Sequence, residues 1–319
     1  MRTSGTRRTT IPASADADAG RTLLRRGTRR RSRRDALTFI AFVAPNFLLL
    51  AVFTFWPVLY SFYLGFFKWN MIAKRKTFLA LGNYQAMIAD PVFWLVVRNT
   101  FVLAGGTVLV TLSVALGLAV VLNRRLPGRS FYRAVIFSPT FTTSVAVAMV
   151  WGWIFEPNYG LLRVFLKWFG LPSPNWFTDV HWALPAIMIV VIWGGLGYAM
   201  VIFLAGLQGI PVELYDAARV DGASPRQTFW RLTFPLLSPT TFFLVVTSVI
   251  NALKAFDVVA IMTYGRPMNS TNVYVLYLYQ NAFDWFKTGY ASALALVLFV
   301  VILLITLGQM RLSKRWVHY

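Results

Sequence analysis

The sequence predicts an all-α polytopic membrane protein with six transmembrane helices and a structured polar loop, about residues 209–236, between the fourth and fifth. Three observations predict it. Hydrophobic residues make up 57% of the 319 residues and charged residues only 13%, where a soluble domain carries about 25% charged residues. The apolar residues gather in six runs, each near or above the roughly 20 residues that a bilayer needs. Positive charge gathers in alternate connecting segments, the pattern of cytoplasmic loops.

The chain opens on a basic tail, residues 1–35, with eleven arginines between Arg2 and Arg34. Nucleic-acid binding would interleave aromatics with these residues, and the tail has none. The net charge of +20 therefore does not point to nucleic acid. A disordered cytoplasmic tail that fixes topology and touches anionic lipid head groups is expected instead. A cleavable signal peptide is not expected, because the basic region is too long and the next apolar run is of span length.

The six-span domain covers residues 36–319. Its first run is about Leu37 to Phe67, with Pro45 and Pro57 inside it, and prolines there predict kinks. The second is about Trp94 to Leu122 and the third about Phe131 to Phe155. The fourth is about Trp182 to Leu207, the fifth about Leu237 to Tyr264 and the sixth about Thr288 to Met310. Tryptophans such as Trp56, Trp94, Trp153, Trp182 and Trp285 fall near span ends, as an interfacial aromatic belt requires. Gly105-Gly106, Gly194-Gly195 and Gly197 permit close helix packing.

With the N-terminus inside, the inner segments hold 21 Lys and Arg and the outer loops eight. Both termini are therefore expected to be cytoplasmic. The outer cluster Lys74-Arg75-Lys76 runs against the rule. It is open to two readings: a surface that meets an acidic partner, or a local excess that is tolerated.

The loop between the fourth and fifth spans carries helix signals. Pro211 suits the first turn of a helix, with Glu213 and Asp216 near the positive end of its dipole. Gly222 is a natural stop. Ser224-Pro225-Arg226-Gln227 reads as a capping box that starts a second short helix, which Pro235 ends or kinks. The loop also has a family pattern: Asp216-Ala217-Ala218, three residues, Gly222, nine residues, then Leu232-Thr233-Phe234-Pro235. This resembles the "EAA" loop of permease subunits in bacterial ATP-binding-cassette importers. Asp replaces the first Glu, Leu replaces Ile and Phe replaces Leu. The form DAARVDGAS is similar to the carbohydrate-uptake branch. So are Phe256-Asp257, the Met262–Pro267 segment with Arg266 where the branch has glycine, Gly289-Tyr290-Ala291-Ser292-Ala293, and Ala44-Pro45.

The resemblance covers roughly residues 36–319 and implies a type I importer fold in a bacterial inner membrane. It implies four kinds of partner: a second permease subunit, usually different; two ATP-binding subunits; an external solute-binding protein, either free or a lipoprotein; and membrane lipid. No cofactor is implied on this chain, and ATP and Mg belong to the ATPase subunits. Glu213, Asp216, Ala217, Ala218, Arg219 and Gly222 are the implied coupling residues. The branch points to sugars or polyols, with glycerol phosphates or glycerophosphodiesters as the alternative.

Ionisable groups inside spans cost about 2.5–3.5 kcal/mol near the helix centre. Asn251, Lys254 and Asp257 are spaced by three in the fifth run and so are expected to share one helical face. Two readings stand: a face lining the translocation path, or a Lys254–Asp257 pair that holds the bundle together. Other functions fit less well. An ion-coupled secondary transporter usually has more spans, and a channel needs a filter or charged ring. The chain has no cysteine and two histidines, too few for a metal centre or a nucleophile–base pair. It also has no phosphate-binding loop of its own.

Overall fold

The computed structural model describes residues 35, 38–72, 74–124 and 126–316. The Arg-rich tail read over residues 1–35 lies outside them, apart from Asp35. The chain divides into two units, one running to Tyr60 and one from Ser61 onward. The first unit holds most of helix α1 (Thr38–Leu64). Its large apolar side chains, among them Phe39, Phe42, Phe53 and Trp56, are exposed. A π turn at Ala51–Phe55 precedes Pro57, which cannot donate to the carbonyl four residues back and crowds it. The wider turn accommodates the ring.

The second unit begins with an antiparallel hairpin, β1 (Phe67–Lys68) and β2 (Thr77–Phe78), with Phe67 opposite Phe78. Helices α2 (Gly82–Ala89), α3 (Pro91–Asn123), α4 (Arg129–Phe137), α5 (Ser144–Ile154) and α6 (Leu161–Trp168) follow. Then come α7 (Ala183–Gln208), α8 (Val212–Val220), α9 (Pro225–Thr228), α10 (Ser238–Leu253), α11 (Asp257–Met262), α12 (Tyr274–Tyr279) and α13 (Thr288–Trp316). Asp90 caps α3 by accepting from the Val92 N–H at 2.9 Å, and Pro91 takes the first position, where no N–H is needed.

Among the described residues, five helical runs are long and apolar enough to cross a membrane: α1, α3, α7, Ser238–Met262 and Thr288–Lys314. The third expected span, about Phe131 to Phe155, is broken, and it makes the sixth span when the pair is counted as one. It is a bent pair, Arg129–Phe141 and Ser144–Ile154, at 104°. The cause lies in Ser138-Pro139-Thr140-Phe141-Thr142-Thr143. A 3-10 turn over Ser138–Phe141 ends in extended backbone at Thr142 and Thr143. Thr143 then caps α5 through the Ala146 N–H at 3.4 Å. Thr and Ser side chains favour such breaks over helix interiors.

The core joins α3, α7 and α10. Ala115 and Ala119, one turn apart, are fully buried against Met200, Phe203 and Leu207, with Leu237 and Leu244 closing the cluster. Small residues let helix backbones approach where lipid gives no hydrophobic drive. Gly197 does so: a Cβ there would overlap the Ile136 carbonyl of α4. Gly106 faces Met188 closely, whereas Gly105 and Gly194 face open space.

Candidate functional site: the loop between the fourth and fifth spans

The loop folds on local signals. Pro211 stands at the cap of α8, Glu213 lies in its first turn and Arg219 in its last, so both charges complement the helix dipole. The helix closes in a Schellman motif. The Ala223 N–H donates to the Ala218 carbonyl at 2.9 Å and the Gly222 N–H to Arg219 at 3.1 Å. Gly222 takes φ +71°, a conformation that a Cβ disfavours. The capping box of α9 is also present. The Ser224 N–H donates to Gln227 Oε1 at 2.8 Å, and the Gln227 N–H to Ser224 Oγ at 3.4 Å. Pro235 does not end the helix. A π turn over Phe229–Thr233 precedes it, and the wider turn accommodates a ring that would otherwise crowd the Arg231 carbonyl.

One polar contact ties α8 to the bundle: the Tyr215 and Thr233 hydroxyls share a hydrogen bond of 3.2 Å. Tyr215 packs against the α3–α7–α10 core, and Ala218 beside it is half-buried. Glu213, Asp216, Ala217, Arg219 and Gly222 are exposed. Of the six expected coupling residues, five thus reach the outer surface and Ala218 turns partly inward. Arg219 and Asp216 pair at 2.8 Å, the one ion pair among the described residues. Exposed as it is, it adds little stability.

Sequence reasoning missed two residues here. Val212 is 65% exposed and Val220 87%. Four-residue spacing places Val212, Asp216 and Val220 on one face, flanked by Glu213 and Ala217. Two valines at that spacing in a polar loop were the available signal. The face carries two exposed valines on either side of Asp216, with Glu213 and the small Ala217 beside them.

Asn251, Lys254 and Asp257 do not share one helical face, which corrects the spacing argument. Helix α10 stops at Leu253, and Lys254 leaves helical geometry (φ −99°, ψ 10°). Phe256 sits at φ −139°, ψ −59°, and Asp257 opens α11. All three side chains are exposed. The junction closes with short-range bonds, Lys254 N–H to Asn251 at 3.2 Å and Ala255 N–H to Ala252 at 3.2 Å. The ion-pair reading is not met among the described residues.

At the other end of the bundle, residues 263–287 are held by a buried polar network. Asn99 donates to the carbonyls of Asn269 at 2.9 Å and Asn272 at 3.1 Å. Asn272 donates to Gln280 Oε1 at 2.9 Å, and the Thr263 and Thr271 hydroxyls meet at 2.8 Å. Arg266, where the related branch has glycine, is not among the positive-φ residues, so a side chain fits there.

A family model described as "Binding-protein-dependent transport system inner membrane component" matches residues 108–318, about two thirds of the chain. The chain belongs to this family of permeases. The permease is 37% identical over 294 residues to the probable ABC transporter permease protein YesP of Bacillus subtilis, covering 90% of this chain and 94% of the relative. It is 33% identical to the sulfoquinovosyl glycerol transport system permease protein SmoG of Agrobacterium fabrum, covering 91% and 95%. Among solved structures it matches a bacterial ABC transporter involved in import of the acidic polysaccharide alginate, with a TM-score of 0.80 at 24% identity, covering 90% and 98%. The fold is that of the type I importer permeases, and the permease is a transport subunit.

Proposed function

We propose that this permease forms half of the translocation path of a binding-protein-dependent, ATP-driven importer for a sugar-like solute, with α8 as its coupling helix. The observation that carries the reading is the outward face of α8: Val212, Asp216, Ala217 and Val220, capped rigidly at Gly222 and tied to the core through Tyr215. A nucleotide-binding subunit closing on that face would move Thr233 and α10 with it. ATP and Mg would be held by two such subunits. A second, different permease subunit would complete the path, and an external solute-binding protein would deliver the solute. The charge bias of the loops supports cytoplasmic termini in a bacterial inner membrane. The similarity to a sulfoquinovosyl glycerol permease supports a sugar-like cargo.

The break at Lys254–Phe256 supports a path-lining role for Asn251, Lys254 and Asp257. Non-helical backbone at membrane depth persists only where protein covers it or water reaches it. Exposed charges on either side of the break favour water. Replacing Asn251 or Asp257 by Ala should abolish uptake while the complex still assembles.

The reading is tested in proteoliposomes holding the assembled complex, the binding protein and labelled sugars. Uptake that requires ATP on the side of α8 is expected. Uptake driven by an ion gradient without ATP would contradict it, and uptake of glycerol 3-phosphate but no sugar would move the cargo to the alternative class.

A further inference from the structure

A cavity of about 760 Å³ lies at the end of the bundle where α3 and α13 begin, between the hairpin, α2 and residues 277–290. It shares no lining residue with the break at Lys254–Phe256. Its volume falls within the roughly 300–1,000 Å³ of small-molecule pockets. Lys68, Arg75 and Lys287 line it, and none of them forms an ion pair among the described residues. The carboxylate in the lining, Asp90, is already engaged. One oxygen accepts from the Val92 N–H at 2.9 Å and the other from the Tyr277 hydroxyl at 2.6 Å. Burial first, and this bond second, push the Tyr277 phenol well above its ordinary value, so it remains a donor to Asp90.

Two of the cations, Lys68 and Lys287, stand beside a bonded frame. Asn83 donates to the carbonyls of Gly65 at 2.8 Å and Phe67 at 3.0 Å. The Gly289 N–H donates to Trp69 at 3.0 Å, and a Cβ on Gly289 would overlap the Phe67 carbonyl oxygen. These contacts hold the strand that carries Lys68 against the segment that follows Lys287. Like charges around one cavity repel, and an anion relieves them. The Arg75 guanidinium presents the planar fork that a carboxylate accepts. Trp285, with Lys287 Nζ 5.7 Å from its ring centre, adds a flat apolar surface beside the charge.

We infer that this cavity binds an acidic saccharide, its carboxylate on Arg75 and Lys287 and its sugar rings against the aromatic wall. An anionic lipid head group offers the same charge without the rings, and the test separates the two. Binding here requires no ATP, so the measurement stands apart from the coupling role of α8.

The test is calorimetry on the full chain in phosphatidylcholine nanodiscs, titrated with digalacturonate and with the neutral disaccharide galactobiose. Digalacturonate should bind at least about tenfold more tightly and weaken as salt is raised. Arg75→Ala and Lys287→Ala, both at exposed positions, should each lose about tenfold, while Lys74→Ala, outside the lining, keeps full affinity. Equal binding of the two disaccharides, no binding of digalacturonate, or full affinity in both lining variants would overturn the proposal. So would loss of digalacturonate binding in phosphatidylglycerol nanodiscs, which would make this a lipid site.

Discussion

The loop at 209–236 and the segment at 263–287 are both connections between spans, yet they are built in opposite ways. The first satisfies its polar groups among neighbours in sequence: Ser224 with Gln227, Asp216 with Arg219, Ala223 with Ala218. Its apolar side chains Val212 and Val220 are left outside. The second satisfies its polar groups across the chain, as in Asn99 to Asn272, 173 residues apart, and buries Thr271 and Asn272 completely. A connection made from local signals can present a face to another molecule without loss of shape. A connection made from long-range bonds cannot spare its residues. Substitutions should therefore break function in the first and fold in the second.

The largest effect is expected on the exposed face of α8. Ala217→Arg should cut ATP-driven uptake by about 30-fold or more, the scale of a lost docking hot spot. The thermal unfolding midpoint should stay where it is. A large fall in the midpoint would erase the contrast between the regions. Next comes Asn272→Ala, which leaves buried Gln280 without its donor. A loss of about 2 kcal/mol in stability is expected, seen as a lower unfolding midpoint and less folded protein. Unchanged stability would show that the far-side network is dispensable.

Smaller effects sharpen the comparison within the loop. Gly222→Ala keeps open space around its Cβ but strains the backbone at φ +71°, at about 1 kcal/mol. Ser224→Ala should lose about 1 kcal/mol of capping. Hydrogen exchange at the α8 and α9 amides would report both as faster local opening. Smallest of all, Arg219→Ala removes an exposed pair and should change stability by less than about 0.5 kcal/mol. A coupling defect in that variant at unchanged stability would mark Arg219 as a docking residue.

This contrast also explains what could be read from the sequence. The caps of α8 and α9, the stop at Gly222 and five of the spans follow from short-range chemistry and apolar run length, and both are visible in a row of letters. The bend at Ser138–Thr143 had its signals, a proline and three threonines, but an apolar run that continues on both sides of it masked them. The break at Lys254–Phe256 contains neither glycine nor proline. It depends on how α10 and α11 pack separately against their neighbours, so spacing arguments across it fail. The far-side network joins α3 to a segment far along the chain, and no local pattern announces such a partner.

The most direct measurement is a photo-crosslink from position 217. A photoreactive residue there, in the full chain expressed with its native partners, should give a product containing an ATPase subunit with a phosphate-binding loop, identified by mass spectrometry. Crosslinks only to lipid or to other copies of this chain would contradict the docking role of α8 and the importer mechanism built on it.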